Sequence, residues 1–174
     1  MHLRVCLITV IILILFLGSA VMTVEEKFEG EKAVICEVIR NNIGWALNKD
    51  KELLYRGIAQ DENLFYFSPY KAGTITGFKA FQNLTENFFM KDDFKATAFE
   101  VWDMRINLSR SGEVAWYSAM LNDYGEWQGK QSIWENTRWT GVLEKRDGHW
   151  VIVQMHFSFA YDEKSEKTKD DEKN

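Results

Sequence analysis

Cysteine, histidine and proline are scarce in this 174-residue chain, with two, three and one of each. Two cysteines, Cys6 and Cys36, cannot build a disulfide framework, and Cys6 falls in an apolar N-terminal run. Cys36 is therefore expected as a single buried, inert thiol. Of the histidines, His2 precedes that same run. His149 and His156 are an odd number of positions apart on one expected strand, hence on opposite faces, so no zinc or di-iron spacing exists and no metal is expected. The chain also lacks a glycine-rich phosphate loop, a nucleophile elbow and a Cys/His pair in its main domain, so no cofactor is expected. Positive charge is short too: the net charge is −5, and the lysines are interleaved with acids. Nucleic acid needs a clustered basic face, so it is excluded as a partner.

What the chain does have is aromatic and apolar weight, at 14% and 46%. Part of it lies at the N-terminus, where His2 and Arg4 precede an unbroken apolar run from Val5 to Leu17, followed by Gly18-Ser19-Ala20. Residues 1–22 read as a signal peptide cut after Ala20 or as an uncleaved membrane anchor, Val5 to Met22 being just short of the hydrocarbon thickness. Both readings place the remainder beyond the membrane, so the protein is expected to be exported, with membrane contact only through this segment. Residues 27–161 form the one domain. Residues 162–174, nearly all charged, read as a disordered tail.

Within the domain, Ala33, Val34, Val38, Ile39, Ile43, Ala46 and Leu47 recur at helical spacing and predict a helix from Lys27 to Asn48. A second short helix is predicted from Lys51 to Ile58, and a third from Gly77 to Met90 on Phe78, Phe81, Leu84, Phe88 and Phe89. Asn63 to Ser68 is a short aromatic strand stopped by Pro69, with a loop from Lys71 to Thr76. Four long strands follow from Phe94 to Tyr161, turning at Arg110-Ser111-Gly112, Gln128-Gly129-Lys130 and Arg146-Asp147-Gly148. Helices grouped before an antiparallel run define an α+β fold: a cone-shaped curved antiparallel sheet with three N-terminal helices packed on its concave face.

Both faces of the last strands carry bulk. Val114, Trp116 and Met120 oppose Tyr117 and Leu121, and Val151, Val153 and Met155 oppose Trp150 and Ile152. The second face is expected to be covered by another copy of the chain, giving a homodimer. The register turns on the last hairpin. A three-residue loop with a bulge at Gly148 pairs Lys145 with His149 and Arg138 with His156; a two-residue Asp147-Gly148 turn pairs Arg146 with His149 and sets Arg138 opposite Phe157. The bulged form is favoured because it gathers Val151, Val153, Met155 and Phe157 with Leu143 and Trp139 on one apolar face. If that face lines the cone, the ligand-binding residues are Tyr66, Ser68, Tyr117, Glu135, Thr137, Trp139 and Phe157. With the faces reversed, the polar site is Asp61, Arg138 and His156.

Several segments taken together resemble a known family. Trp45-Ala46-Leu47 to Asp61, Phe65-Tyr66-Phe67-Ser68-Pro69, Gly77-Phe78, Gly112-Glu113-Val114-Ala115-Trp116 and Thr137-Arg138 through Ser158 are similar to the SnoaL-like branch of the nuclear transport factor 2-like superfamily, over about Lys27 to Tyr161. The closing segment also resembles the association domain of calcium/calmodulin-dependent kinase. The resemblance implies the cone fold and little about function, because the superfamily holds isomerases, dehydratases, cyclases, assembly hubs and non-catalytic binders. In its ketosteroid isomerases the general base is an aspartate just before the proline closing the first strand. Here Ser68 stands before Pro69, and Trp45 lies near where those enzymes carry a catalytic tyrosine, which argues against that chemistry.

Two functions are in view. One is an exported, non-catalytic domain that binds an apolar small molecule or serves assembly. The other is an isomerase, dehydratase or cyclase using Asp61, Glu135, Arg138 or His156, which requires at least two of them to converge in one cavity.

Overall fold

The structure, a computed structural model, describes residues 24–70 and 73–161. The expected targeting segment, 1–22, and charged tail, 162–174, lie outside the described residues. Contacts divide the chain into Met1–Glu31 and Lys32–Asn174; apart from the start of the first helix, the architecture below belongs to the second unit. Among the described residues no helix is long and apolar enough to cross a membrane.

Helix α1 spans Val24–Asn48. Its buried stripe is Ile35, Ile39, Asn42 and Trp45, while Ala33, Val34 and Leu47 are exposed. The inward face is thus rotated from the expected one: both sets have helical spacing, and the sheet side is chosen by what the larger Trp45 can bury. Cys36 is half-buried rather than buried. Helix α2, Lys51–Arg56, is opened by Asp50, whose side chain accepts from the Leu53 amide, an N-cap that satisfies one of the free donors of the first turn.

Two short strands follow, β1 (Phe65–Phe67) and β2 (Thr74–Thr76). β2 corrects the loop expected there, since Thr74 to Thr76 pairs antiparallel with β1. Helix α3, Phe78–Leu84, continues into a π-helical turn at Thr85–Phe89. The fully buried Thr85 hydroxyl bonds back to the Phe81 carbonyl at 3.0 Å. This wider turn lets the consecutive Phe88 and Phe89 both face the sheet. Lys51 ties α2 to it through Glu86 at 2.7 Å.

The long strands are β3 (Phe94–Leu108), β4 (Val114–Trp127), β5 (Lys130–Arg146) and β6 (His149–Ser158). They form one curved, unclosed sheet in the order β2-β1-β6-β5-β4-β3. Every pairing is antiparallel except the parallel contact of β1 with β6. The concave side carries the core, with Tyr117, Leu121, Trp139, Leu143, Ile152, Met155 and Phe157 packed against Ile35, Ile39, Leu54 and Phe81.

The last hairpin closes through a two-residue turn. Arg146 pairs with His149, and Asp147 and Gly148 both take positive φ, 50° and 81°, which matches the twist of the flanking strands. The favoured three-residue loop is therefore wrong. The extra residue sits in mid-strand instead: Leu143 pairs with Ile152 but Val142 with Gln154, leaving Val153 unpaired. Arg138 consequently meets Ser158, matching neither expected register. The break coincides with a change of neighbour on the far side of β6. The Ile152 amide and carbonyl bond to Gly57 and Ala59, while β1 takes over from Gln154 onward. Trp150 and Ile152 before the bulge, and Met155 and Phe157 after it, all point inward. The apparent doubling of bulk on β6 is one face with a phase change.

Candidate functional site

A cavity of about 350 Å³ opens between the concave sheet face, α1 and the π-helical turn. Its volume falls in the range of small-molecule sites. Nearly half of its lining residues are aromatic. Trp45 comes from α1, Phe88 and Phe89 from the π turn, Tyr66 from β1, Trp134 from β5 and Phe157 from β6. The rings are locked to one another: Phe88 stacks on Trp127 at 4.4 Å, Phe89 meets Trp45 edge-on at 5.9 Å, and Phe157 touches Tyr66 and Trp134, each at 5.6 Å.

Into this wall β4 projects Asp123, the one charged side chain among the described residues lining the cavity. Burial pushes its carboxyl up to about 6, because the ionised form loses water and gains no compensating donor. The Tyr66 phenol is raised to about 12, mainly by burial, with the Ser68 hydroxyl opposing the rise and the Asp123 charge adding to it. The Asn42 side-chain nitrogen is buried without a partner and also faces the cavity. Asp123, Tyr66, Ser68 and Asn42 are thus a small polar set in an apolar chamber.

Asp123 was not among the residues expected to act, although its signal was present. On β4 the buried positions Ala115, Tyr117, Ala119 and Leu121 are two apart, and Asp123 is the next of the series. A carboxylate continuing a buried face is a site candidate. Asn42 had a comparable signal, standing in the stripe of Ile35, Ile39 and Trp45.

Among the residues that were expected, Tyr66, Ser68 and Phe157 line the cavity. Ser68 is buried, and its hydroxyl also accepts from the Tyr70 amide at 3.2 Å, serving the turn after β1. Tyr117, Thr137 and Trp139 lie on the concave side but are packed into the core below the cavity floor. Glu135 is exposed, against the Tyr124 hydroxyl. Strict alternation from Trp139 through Thr137 would have kept Glu135 inside. A bulge sets Glu135 and Asn136 opposite Asn122, whose side chain accepts from the Asn136 amide, with Asn136 at φ 51°. That extra residue turns Glu135 out and Trp134 in.

The alternative polar site does not assemble. Asp61 sits at the surface in an ion pair with Arg146 at 2.5 Å, its carboxyl held below the usual range chiefly by the Asn63 amide. Arg138 is exposed on the convex face, and His156 lies there against Phe67, ring centroids 5.2 Å apart. No two of Asp61, Glu135, Arg138 and His156 meet in the cavity. Among the described residues no group of three side chains is placed to hold a metal ion.

The profile of the SnoaL-like domain matches residues 35–162, and the chain belongs to that family. Sequence comparison with curated proteins gives no match. Among solved structures, a protein assigned as a scytalone dehydratase from Novosphingobium aromaticivorans superposes with a TM-score of 0.67 at 14% identity, covering 79% of this chain and 89% of that one. A hexachlorocyclohexane dehydrochlorinase from Novosphingobium barchaimii gives 0.58 at 16%, covering 76% and 88%. An NTF2-like protein from Cytophaga hutchinsonii gives 0.59 at 17%, covering 74% and 98%. At these identities the likeness is one of fold.

Proposed function

We propose that this protein binds a compact, largely apolar small molecule in its aromatic cavity, with Asp123 anchoring the polar end. The observation carrying this reading is a chamber of about 350 Å³ with ten rings in its wall and one half-buried carboxyl to which no described residue donates a hydrogen bond. Such a group is costly to maintain empty, and a ligand that satisfies it gains accordingly. Binding without turnover is favoured because Asp61, Glu135, Arg138 and His156 supply no second acid or base there.

Acid–base catalysis by Asp123 is a second reading. It is favoured by a carboxyl poised near neutrality, and by structural neighbours that bear the names of a dehydrochlorinase and a dehydratase. Mass spectrometry of protein purified under native conditions tests the first reading, which expects a retained small molecule in wild type and its loss from Trp134→Ala. Conversion of that molecule by wild type but not by Asp123→Asn would favour catalysis.

Two further properties belong to the same proposal. Export is supported by the Arg4-flanked apolar run and its small-residue end. A fusion of residues 1–27 to a reporter active only outside the cytoplasm should give signal, and cytoplasmic retention would refute it. Self-association through the convex face is supported by Trp116, Phe67 and Ile133, each about half exposed on strands of one sheet.

A further inference from the structure

We propose that the molecule taken by this cavity is an organic cation, an alkyl or aryl ammonium whose charged nitrogen sits beside Asp123 among the aromatic faces. The inference rests on the binding reading above and sharpens it to a chemical class.

Three observations converge on it. Asp123 is the one charged side chain among the described residues of the wall, and no described residue donates a hydrogen bond or an ion pair to its carboxylate. A carboxylate drawn partly out of water ordinarily has such a partner, whereas this half-buried one faces the chamber. The surrounding groups are rings, with Trp134 its cross-strand partner on β5, Tyr66 opposite on β1, and Trp45, Phe88 and Phe94 completing the wall. Ring faces carry negative potential, so they repel an anion and attract a cation, most strongly when water is excluded. The carboxylate and the rings therefore act in the same direction. A neutral ligand would satisfy the carboxyl through a hydrogen bond and pack on the rings, but without the charge attraction that both offer a cation. An anion is opposed by both.

The titratable groups that face Asp123 within the cavity are few. β1 contributes Tyr66 and the following turn Tyr70. Tyr124, its neighbour on β4, directs its hydroxyl outward to Glu135. The described lining residues of α1, the π turn, β3, β5 and β6 contribute none. With Tyr66 raised to about 12, Asp123 is the group whose charge changes between weakly acidic and neutral pH.

The test compares three phenethyl probes that differ in the charge of their end group, on the full chain, read by quenching of tryptophan fluorescence and by calorimetry. They are phenethyltrimethylammonium, its uncharged carbon isostere 3,3-dimethylbutylbenzene, and the anion 3-phenylpropanoate. The ammonium should bind about tenfold or more tightly than the isostere at a pH of about 8, and the anion should be weakest. Its affinity should fall about tenfold at a pH one unit below the Asp123 value of about 6, while that of the isostere stays level. Asp123→Asn should remove this pH dependence and most of the preference for the cation, leaving the isostere within about twofold. Binding of the isostere as tight as that of the ammonium, or an Asp123→Asn variant with undiminished preference, overturns the cation while leaving the cavity as a small-molecule site. Binding of none of the three at millimolar concentration defeats both readings.

Discussion

Trp139 on β5 and Phe157 on β6 are direct cross-strand partners whose rings stack 5.3 Å apart with planes only 15° from parallel. Phe157 shows its other contacts to Tyr66 and Trp134 at the cavity wall, whereas Trp139 is buried beneath and meets Tyr117 edge-on at 5.3 Å. Trp139 is thus the support on which the wall stands.

Trp139→Ala should cost about 3–5 kcal/mol, the range for removing a fully buried aromatic ring, and should loosen Phe157 enough to alter ligand affinity. Urea denaturation measures the first and the probe titration the second. A loss below about 1 kcal/mol would show that the ring is not part of the packed core.

The Asp123 carboxyl makes stability depend on pH in an unusual direction. Its value rises from 3.8 in the free group to about 6 in the fold, so the folded state holds the proton more tightly than the unfolded chain. The resulting stabilisation is complete below about pH 4 and is lost as the pH rises through about 6. Two units correspond to about 3 kcal/mol at most, and Asp123→Asn should be more stable than wild type at neutral pH by on the order of 1–3 kcal/mol. The difference between variant and wild type in urea midpoints, followed from pH 4 to pH 8, isolates this group from the other carboxylates. A difference that does not grow with pH would refute the unpaired, half-buried carboxylate.

Gly141 is required by close approach. A Cβ there would lie 2.5 Å from the Gln154 carbonyl oxygen and 2.5 Å from a ring carbon of Tyr117. Gly141→Ala should therefore destabilise the protein by roughly 1–3 kcal/mol or more. Trimming Tyr117 to Leu in the same chain should not restore it, because the backbone contact remains. Thermal unfolding of the single and double variants decides.

Association should respond to the convex face alone. Trp116 is 46% exposed, so Trp116→Glu should leave the fold intact while shifting a dimer towards monomer. Arg138→Ala, on the same face, should likewise disturb association with little effect on ligand binding. Light scattering at micromolar concentration reads both, and a wild-type monomer would end the dimer reading.

The order of the helices and the long strands was legible because each signal is local. Phe78, Phe81, Leu84, Phe88 and Phe89 mark a helical face at i, i+3, i+4 spacing. Gln128-Gly129 and Asp147-Gly148 mark hairpin turns because both positions of each need positive φ. From these the α+β cone followed, and the family match over residues 35–162 agrees. Tyr66, Ser68 and Phe157 were expected at the ligand site on condition that the apolar face lines the cone, with Phe157 placed there through a hairpin register that the structure does not have; all three are among the lining residues of the cavity.

Tertiary structure alone decided which side chains meet. Alternation holds only while a ladder is unbroken, and the residues that break it here, Asn136 and Val153, take up their positions through other parts of the chain: the Asn122 side chain holds the one, and Gly57 and Ala59 grip β6 beside the other. Each bulge shifts the in–out alternation on one side of it by one residue relative to the other side. That is why, counted back from Trp139, Glu135 left the cavity and Trp134 entered it, and why Ile152 shares the core with Met155 and Phe157. Local signals specified the helices, the long strands and their order, because propensity and periodicity act over a few residues; β2, which exists only through its pairing with β1, had no such signal. The cavity, with its carboxyl among the rings, came from strand register, which is set by long-range contacts.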